Sequence, residues 1–295
     1  MHDPRVVLDE PSWHARREAH TARVDGWLTG HRDRRSRAVS HPVEDFLFEY
    51  YSFRPYQLRR WHPGHGVVLA GGSARELLDW RDYVAVRAGV TVDTAAVLAT
   101  RLPTVRWVRD LLVGTAERPG FFGCFGLHEW AMVYRTPPEQ LRHPEWPLRL
   151  GADGVAAVLE ERGVRCGHVD AFRFFTPSAR PLNVLQPTRA DQQALEQPGC
   201  LHANMDLYKW AYKLSPLVPS DLVADTFALA REIRELDMRA SPYDLSRLGL
   251  EPVPVETPEG RAAYAAAQRA FAARSAPLRQ ALVEVLDPLL VPPAA

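Results

Sequence analysis

The sequence is poor in lysine, cysteine and long apolar runs, and each shortage excludes something. Lys209 and Lys213 are its only lysines, so the 36 basic residues are almost all arginine. They are balanced by 36 acidic residues, and a net charge of zero argues against a protein that coats nucleic acid non-specifically. A local basic patch is still compatible with that balance. The 3 cysteines are too few, and odd in number, for a disulfide framework, and they fit a reducing cytoplasm. No run of about 18 apolar residues is present, so no helical membrane span is expected. Met1 to Arg37 is charged and has no apolar core of the kind a secretory signal requires. Also missing are a Walker loop, a strand-led G-x-G-x-x-G, a G-x-S-x-G elbow, the kinase signature set and any Gly-rich helix-hairpin-helix element.

The remaining composition is that of a globular protein, with 46% apolar and 24% charged residues over 295 positions. Apolar spacing of three and four predicts helices over 11–37, 41–51, 93–101, 104–116, 125–135, 153–162, 189–197, 201–214, 220–239 and 259–287. Ser73 and Glu76 form a capping-box pattern that predicts one more helix ending near Gly89. Residues 54–72, punctuated by Pro and Gly, read as a functional loop or short strand region. Residues 164–175 alternate, which predicts a strand with Cys166, His168, Asp170, Phe172 and Phe174 on one face. The expectation is a mainly α, single compact domain of about ten helices with a small β element. Its parts are a basic N-terminal arm over 1–40, a catalytic domain over 41–250 and a C-terminal helix over 251–295 packed on the same domain.

Each cysteine stands just before a histidine and an acid: Cys124/His128/Glu129, Cys166/His168/Asp170 and Cys200/His202/Asp206. These side chains are the natural metal ligands and proton carriers of proteins. His202 and Asp206 are four apart on a helix and share a face, and Cys124 and His128 have the same spacing. Glu49, on the aromatic-rich 41–51 helix, adds a further carboxylate. Two chemistries follow. In one, His128, His168, His202, Asp170, Asp206 and Glu49 hold a divalent ion, iron or zinc, in an oxygenase or hydrolase acting on a small molecule. In the other no metal binds, and a carboxylate works as base or cation stabiliser with a histidine as orienter. The cysteines themselves read as small buried hydrophobes. The same segments are dense in rings, which are either core or a stacking pocket for a flat ligand.

Four segments carry a resemblance: HPVEDFLFEYYSFRP with LRRWHPG (41–64), GCFGLHEWAMVYR (123–135), CGHVDAFRFF (166–175) and QPGCLHANMDLYKWAYKLSPLVPS (197–220). They resemble an actinobacterial family usually labelled 3-methyladenine DNA glycosylase, over about residues 10–250. The resemblance implies hydrolysis of the N-glycosidic bond of an alkylated purine, with damaged DNA as partner and DNA repair as role. Under it, Asp170 or Asp206 stabilises the sugar cation or activates water, with Glu129 and His168 completing the catalytic set. Trp130, Phe174, Tyr208, Tyr51 and Trp61 stack the extruded base, and Arg173 meets a phosphate. The basic clusters at Arg32–Arg37 and at Arg54, Arg59 and Arg60 hold the DNA backbone.

Overall fold

Asp9 starts the first helix. Its Oδ1 accepts a hydrogen bond from Ser12 N at 2.9 Å, Pro11 follows in the first turn, and Arg34 and Arg35 fall in the last turn, where the helix dipole favours cations. The resulting helix, α1 (Glu10–Ser36), matches the expected span and buries Trp13, His20, Val24 and Leu28. The computed structural model describes residues 6–141 and 143–291. Among them are eleven α-helices and one four-stranded sheet, so the chain is mainly α with a small β element, as its sequence suggests.

Packing resolves two compact units within the chain. The first comprises Met1–Leu112, Leu207–Ala228 and Leu278–Ala295. Besides α1 it holds α2 (Phe46–Tyr50), α3 (Pro55–Arg59) and a sheet of β1 (Val6–Leu8), β2 (Val67–Leu69), β3 (Tyr83–Val86) and β4 (Gly89–Val92). The strand order is β1-β2-β4-β3, with β1 parallel to β2 and the other pairs antiparallel.

One strand, β2, falls within the 54–72 stretch read as loop or short strand, while β3 and β4 replace an expected helix. Ser73–Asp79 forms only a 3-10 turn, because the capping side chains are engaged by α1: Ser73 Oγ bonds Glu10 and Glu76 pairs with Arg17. The β-branched run that follows turns into the β3–β4 hairpin. Gly89 is the residue that permits it: at φ 149°, a Cβ there would lie 2.1 Å from the Leu69 carbonyl oxygen. The expected helices over 93–101 and 104–116 are one continuous helix, α4 (Thr94–Glu117), with Pro103 inside it. The expected helix over 41–51 shrinks to turns and α2.

The second unit comprises Val113–Asp206 and Leu229–Pro277. Its own elements are α5 (Leu127–Ala131), α6 (Gly151–Arg162), α7 (Val169–Phe172) and α8 (Gln192–Leu195), together with parts of α9 (Leu201–Lys213), α10 (Ser220–Arg239) and α11 (Pro258–Leu290). Trp130, Val155, Leu159, Ile233 and Tyr264 are fully buried in it. The expected strand over 164–175 does not form. Val164 makes a single bridge to Asn183, and the Asn183 side chain then binds both the Cys166 N–H (2.8 Å) and the Cys166 carbonyl (2.9 Å). One amide side chain thus takes the backbone groups a neighbouring strand would have taken, and the chain enters α7 three residues later. His168 sits at the N-cap of α7 and Asp170 lies within it, so they are not alternate residues of one strand face.

Candidate metal centre

The second unit gathers six acidic and imidazole side chains into two groups, His128/His202/Asp237 and His168/Glu196/Asp206. Within each group one ligand atom per residue lies within 4.8 Å of the others. The groups adjoin: the His202 ring is 4.4 Å from the His128 ring and stacks 5.1 Å from the His168 ring, centroid to centroid. Every member is buried, from 0% exposure at Asp237 to 8% at His202.

Local sequence explains how they meet. Phe125 (φ 49°) and Gly126 (φ 69°) take left-handed conformations, which turn the chain sharply into α5 and deliver His128 in its first turn. His202 and Asp206 sit one helical turn apart on α9, as the spacing predicts, but they serve different groups. Asp237 comes from the last turns of α10, and Glu196 from the residue that ends α8.

The decisive feature is how these atoms face one another. His128 Nε2 and Asp237 Oδ1 lie 3.0 Å apart, yet both are buried without an aligned hydrogen bond. His168 Nε2 is 3.4 Å from Asp206 Oδ2 and 3.5 Å from Glu196 Oε1, and neither ring nitrogen of His168 has a hydrogen-bond partner. Buried polar atoms left unmatched cost about 1–3 kcal/mol each, so natural folds seldom keep several side by side. Nitrogens and carboxylate oxygens that crowd one point without aiming at each other suit a cation placed between them.

Electrostatics agree with a close charged cluster. Burial disfavours charge on Asp237, but His128, His202 and Arg234 outweigh it and hold the carboxyl below its usual range. Burial likewise opposes charge on His128, and Asp237 reverses the balance, raising its pKa. Burial pushes His202 well below the usual imidazole value, with His128 adding to the effect. The carboxylates of both groups are oriented in turn. Arg234, 2% exposed, donates Nη1 to Asp237 Oδ2 at 3.1 Å and to Glu129 Oε1 at 2.8 Å. Gln192 donates to Glu196 Oε1 at 2.6 Å. Outer partners of this kind fix ligand geometry in metal sites.

A cavity of about 480 Å³ opens onto the centre. His128, His168, His202 and Glu196 form part of its wall, and so do Cys124, Cys166 and Cys200. The cysteines are thiols with raised pKa values; burial pushes Cys166 up to about 12. Among the described residues no cysteine joins either group, consistent with their reading as small hydrophobes.

The other expected site residues lie outside the centre. Asp170 pairs with Arg189 at 2.5 Å and approaches Arg173 at 3.8 Å. Glu129 is taken by Arg234. Trp130 is core, with Nε1 bonded to the Ala240 carbonyl at 2.9 Å. Phe174 is exposed, and Arg173 lies over its ring. Tyr51, Trp61 and Tyr208 are buried in the first unit, and Glu49 lines a pocket there with Asp45, Arg54 and Arg59. Sequence reasoning missed Asp237 and Glu196. The stretch REIRELD (231–237) looks like a solvated charged run, yet Ala230, Ile233, Arg234 and Asp237 follow the i, i+3, i+4, i+7 pattern of a core-facing stripe. Two charges placed on that stripe were the signal.

No family model matches the chain, and neither a curated protein nor a solved structure does.

Proposed function

We propose that this chain is a metal-dependent enzyme that hydrolyses or oxygenates a small molecule at two adjoining His/carboxylate sites. The observation that carries the reading is the unmatched set: His128 Nε2, Asp237 Oδ1 and both nitrogens of His168, buried side by side with Glu196 and Asp206. The donors are nitrogen and oxygen, which suits zinc, iron(II) or manganese better than softer ions. Bound there, such ions supply Lewis acidity and, for iron, redox chemistry. The chain contributes the rest. His128, His202 and Asp237 hold one ion, and His168, Glu196 and Asp206 the other. Arg234 and Gln192 fix the carboxylates, while the cavity wall of Phe121, Leu185 and Leu195 limits water around the reacting bond.

The test is metal analysis of the purified protein beside binding of zinc, iron(II) and manganese(II) to chelator-treated protein. Bound metal that falls in Asp237→Ala and His168→Ala supports the reading. Protein that takes up none of the three removes it.

The glycosylase reading, which rests on the four resembling segments, keeps one structural support of its own. The cavity has room for a flat base, and exposed Phe121 stands at its wall with the Arg165 guanidinium 4.9 Å from its ring. Release of 3-methyladenine from alkylated duplex DNA tests it. Its mechanism would place Asp206 at the sugar, so Asp206→Asn abolishes release if the reading is right.

A further inference from the structure

We infer that the substrate of this centre is a small anion, a carboxylate or phosphoryl group on a flat apolar body, drawn in past Arg165 and Arg118. The inference rests on the metal reading for its chemistry but on separate residues for its recognition.

Three observations carry it. The first is the charge of the cavity. Glu196 is the one acid among its lining residues, whereas Arg118 and Arg165 both line it. Two divalent ions against the carboxylates of Asp237, Asp206 and Glu196 leave an excess of positive charge, and the two guanidiniums add to it. A dry cleft lined by one sign of charge concentrates ligands of the other.

The second is the state of those guanidiniums. Arg118 donates Nη1 to the Glu196 carbonyl at 2.9 Å, which fixes the side chain and leaves its other donors facing other directions. Arg165 is exposed and lies over the Phe121 ring at 4.9 Å; among the described residues no carboxylate pairs with it. A stacked, unneutralised guanidinium presents its planar fork to a carboxylate or phosphate.

The third lies deeper. Tyr264 is fully buried and lines the cavity, and its hydroxyl has no hydrogen-bond partner in the protein. Burial, with nearby Cys124 and Asp237, keeps the phenol protonated, so it offers a donor to a ligand atom inside. Cations at the entrance, a ring beside them, apolar Leu185 and Leu195 on the wall and a lone donor within define a ligand with a charged end and a flat body.

The experiment measures binding of benzoate, phenylphosphonate, benzamide and benzylamine by calorimetry, to protein as purified and to Arg165→Gln, Tyr264→Phe and the surface control Arg247→Gln. Metal content is measured on every sample. The expected result is binding of at least one of the two anions, at least tenfold tighter than benzamide or benzylamine. Arg165→Gln then weakens the anion at least tenfold with metal content and melting temperature unchanged, and Arg247→Gln does nothing. The stronger of the two anions tells carboxylate from phosphoryl recognition. Equal binding of anion and amide, no binding of any probe, or an anion affinity indifferent to Arg165 overturns the inference even if metal is present. Absence of metal with Arg165-dependent anion binding overturns the metal reading and leaves the anion site standing.

Discussion

Two buried charged clusters in this chain look alike by composition and differ in how their atoms are matched. In the first unit, Asp45 is 3% exposed and every approach to it is an aligned hydrogen bond. His31 Nδ1 meets it at 2.9 Å, Arg34 donates at 2.9 and 2.7 Å, and the His41 amide donates at 2.9 Å. In the second unit, His128 Nε2 lies 3.0 Å from Asp237 Oδ1 and His168 Nε2 3.4 Å from Asp206 Oδ2, but neither approach is an aligned hydrogen bond, and neither nitrogen of His168 has a hydrogen-bond partner. Proximity alone therefore does not mark a functional cluster. The first is complete as it stands and works as a structural clasp, while the second keeps buried polar atoms without aligned partners, which the proposed cation would match.

The largest expected effect sharpens that contrast. A metal bound at a thousandfold excess over its dissociation constant stabilises the fold by about 4 kcal/mol, read as a rise in melting temperature on adding zinc or iron(II) to chelator-treated protein. Hydrogen exchange should slow around α5, α7 and the start of α9, and stay unchanged around Asp45. Equal slowing at both clusters would break the distinction. Next in size are the two acids themselves. Asp45→Ala leaves Arg34 and His31 facing an empty place and costs about 3 kcal/mol, whether or not metal is added. Asp237→Ala instead removes the metal-dependent stabilisation that its own group supplies, and thermal melts with and without chelator separate the two outcomes.

A smaller effect is expected at the orienting arginine. Arg234→Met leaves the ligands in place but frees the Asp237 carboxylate, and metal affinity falls about 10–100-fold by competition with a fluorescent chelator. An unchanged affinity would reduce Arg234 to a packing residue.

The last effect is a pH dependence confined to the first unit, comparable over one to two pH units with that of Arg234. His62 is half-buried, donates to or accepts from Tyr83 Oη at 2.8 Å, and is pushed down to about 3 by desolvation, with the charge of Arg60 helping. The unfolded chain binds its proton near pH 6.5 and the folded chain does not. The stability His62 contributes is therefore full above pH 6.5 and declines by about 1.4 kcal/mol per unit as pH falls toward 3. Denaturant melts of wild type and His62→Phe between pH 7 and 5 should converge as pH falls; parallel curves would contradict the assignment.

What the sequence made legible follows from which forces act locally. The long helices α1, α10 and α11 were readable because caps and apolar spacing agree along their whole length. The β3–β4 hairpin and the loop over 164–168 were not, since each depends on a distant side chain: Glu10 and Arg17 draw off the capping residues in one, and Asn183 replaces a strand in the other. The same holds for the centre. His128, His168, His202 and Asp206 stood out because histidines and acids recurred beside cysteines, but that pattern also promoted Asp170 and Glu129, which have other partners. Asp237 was hidden inside a charged helical run, and only its register against the buried stripe distinguishes it.

Metal content of protein purified from cells, determined together with that of Asp237→Ala and His168→Ala, tests the central claim most directly. The account predicts up to two equivalents of transition metal, one for each group of ligands, with each substitution removing the ion its own group holds. Protein that is metal-free as purified, and whose melting temperature does not move when zinc, iron(II) or manganese(II) is added, would contradict it.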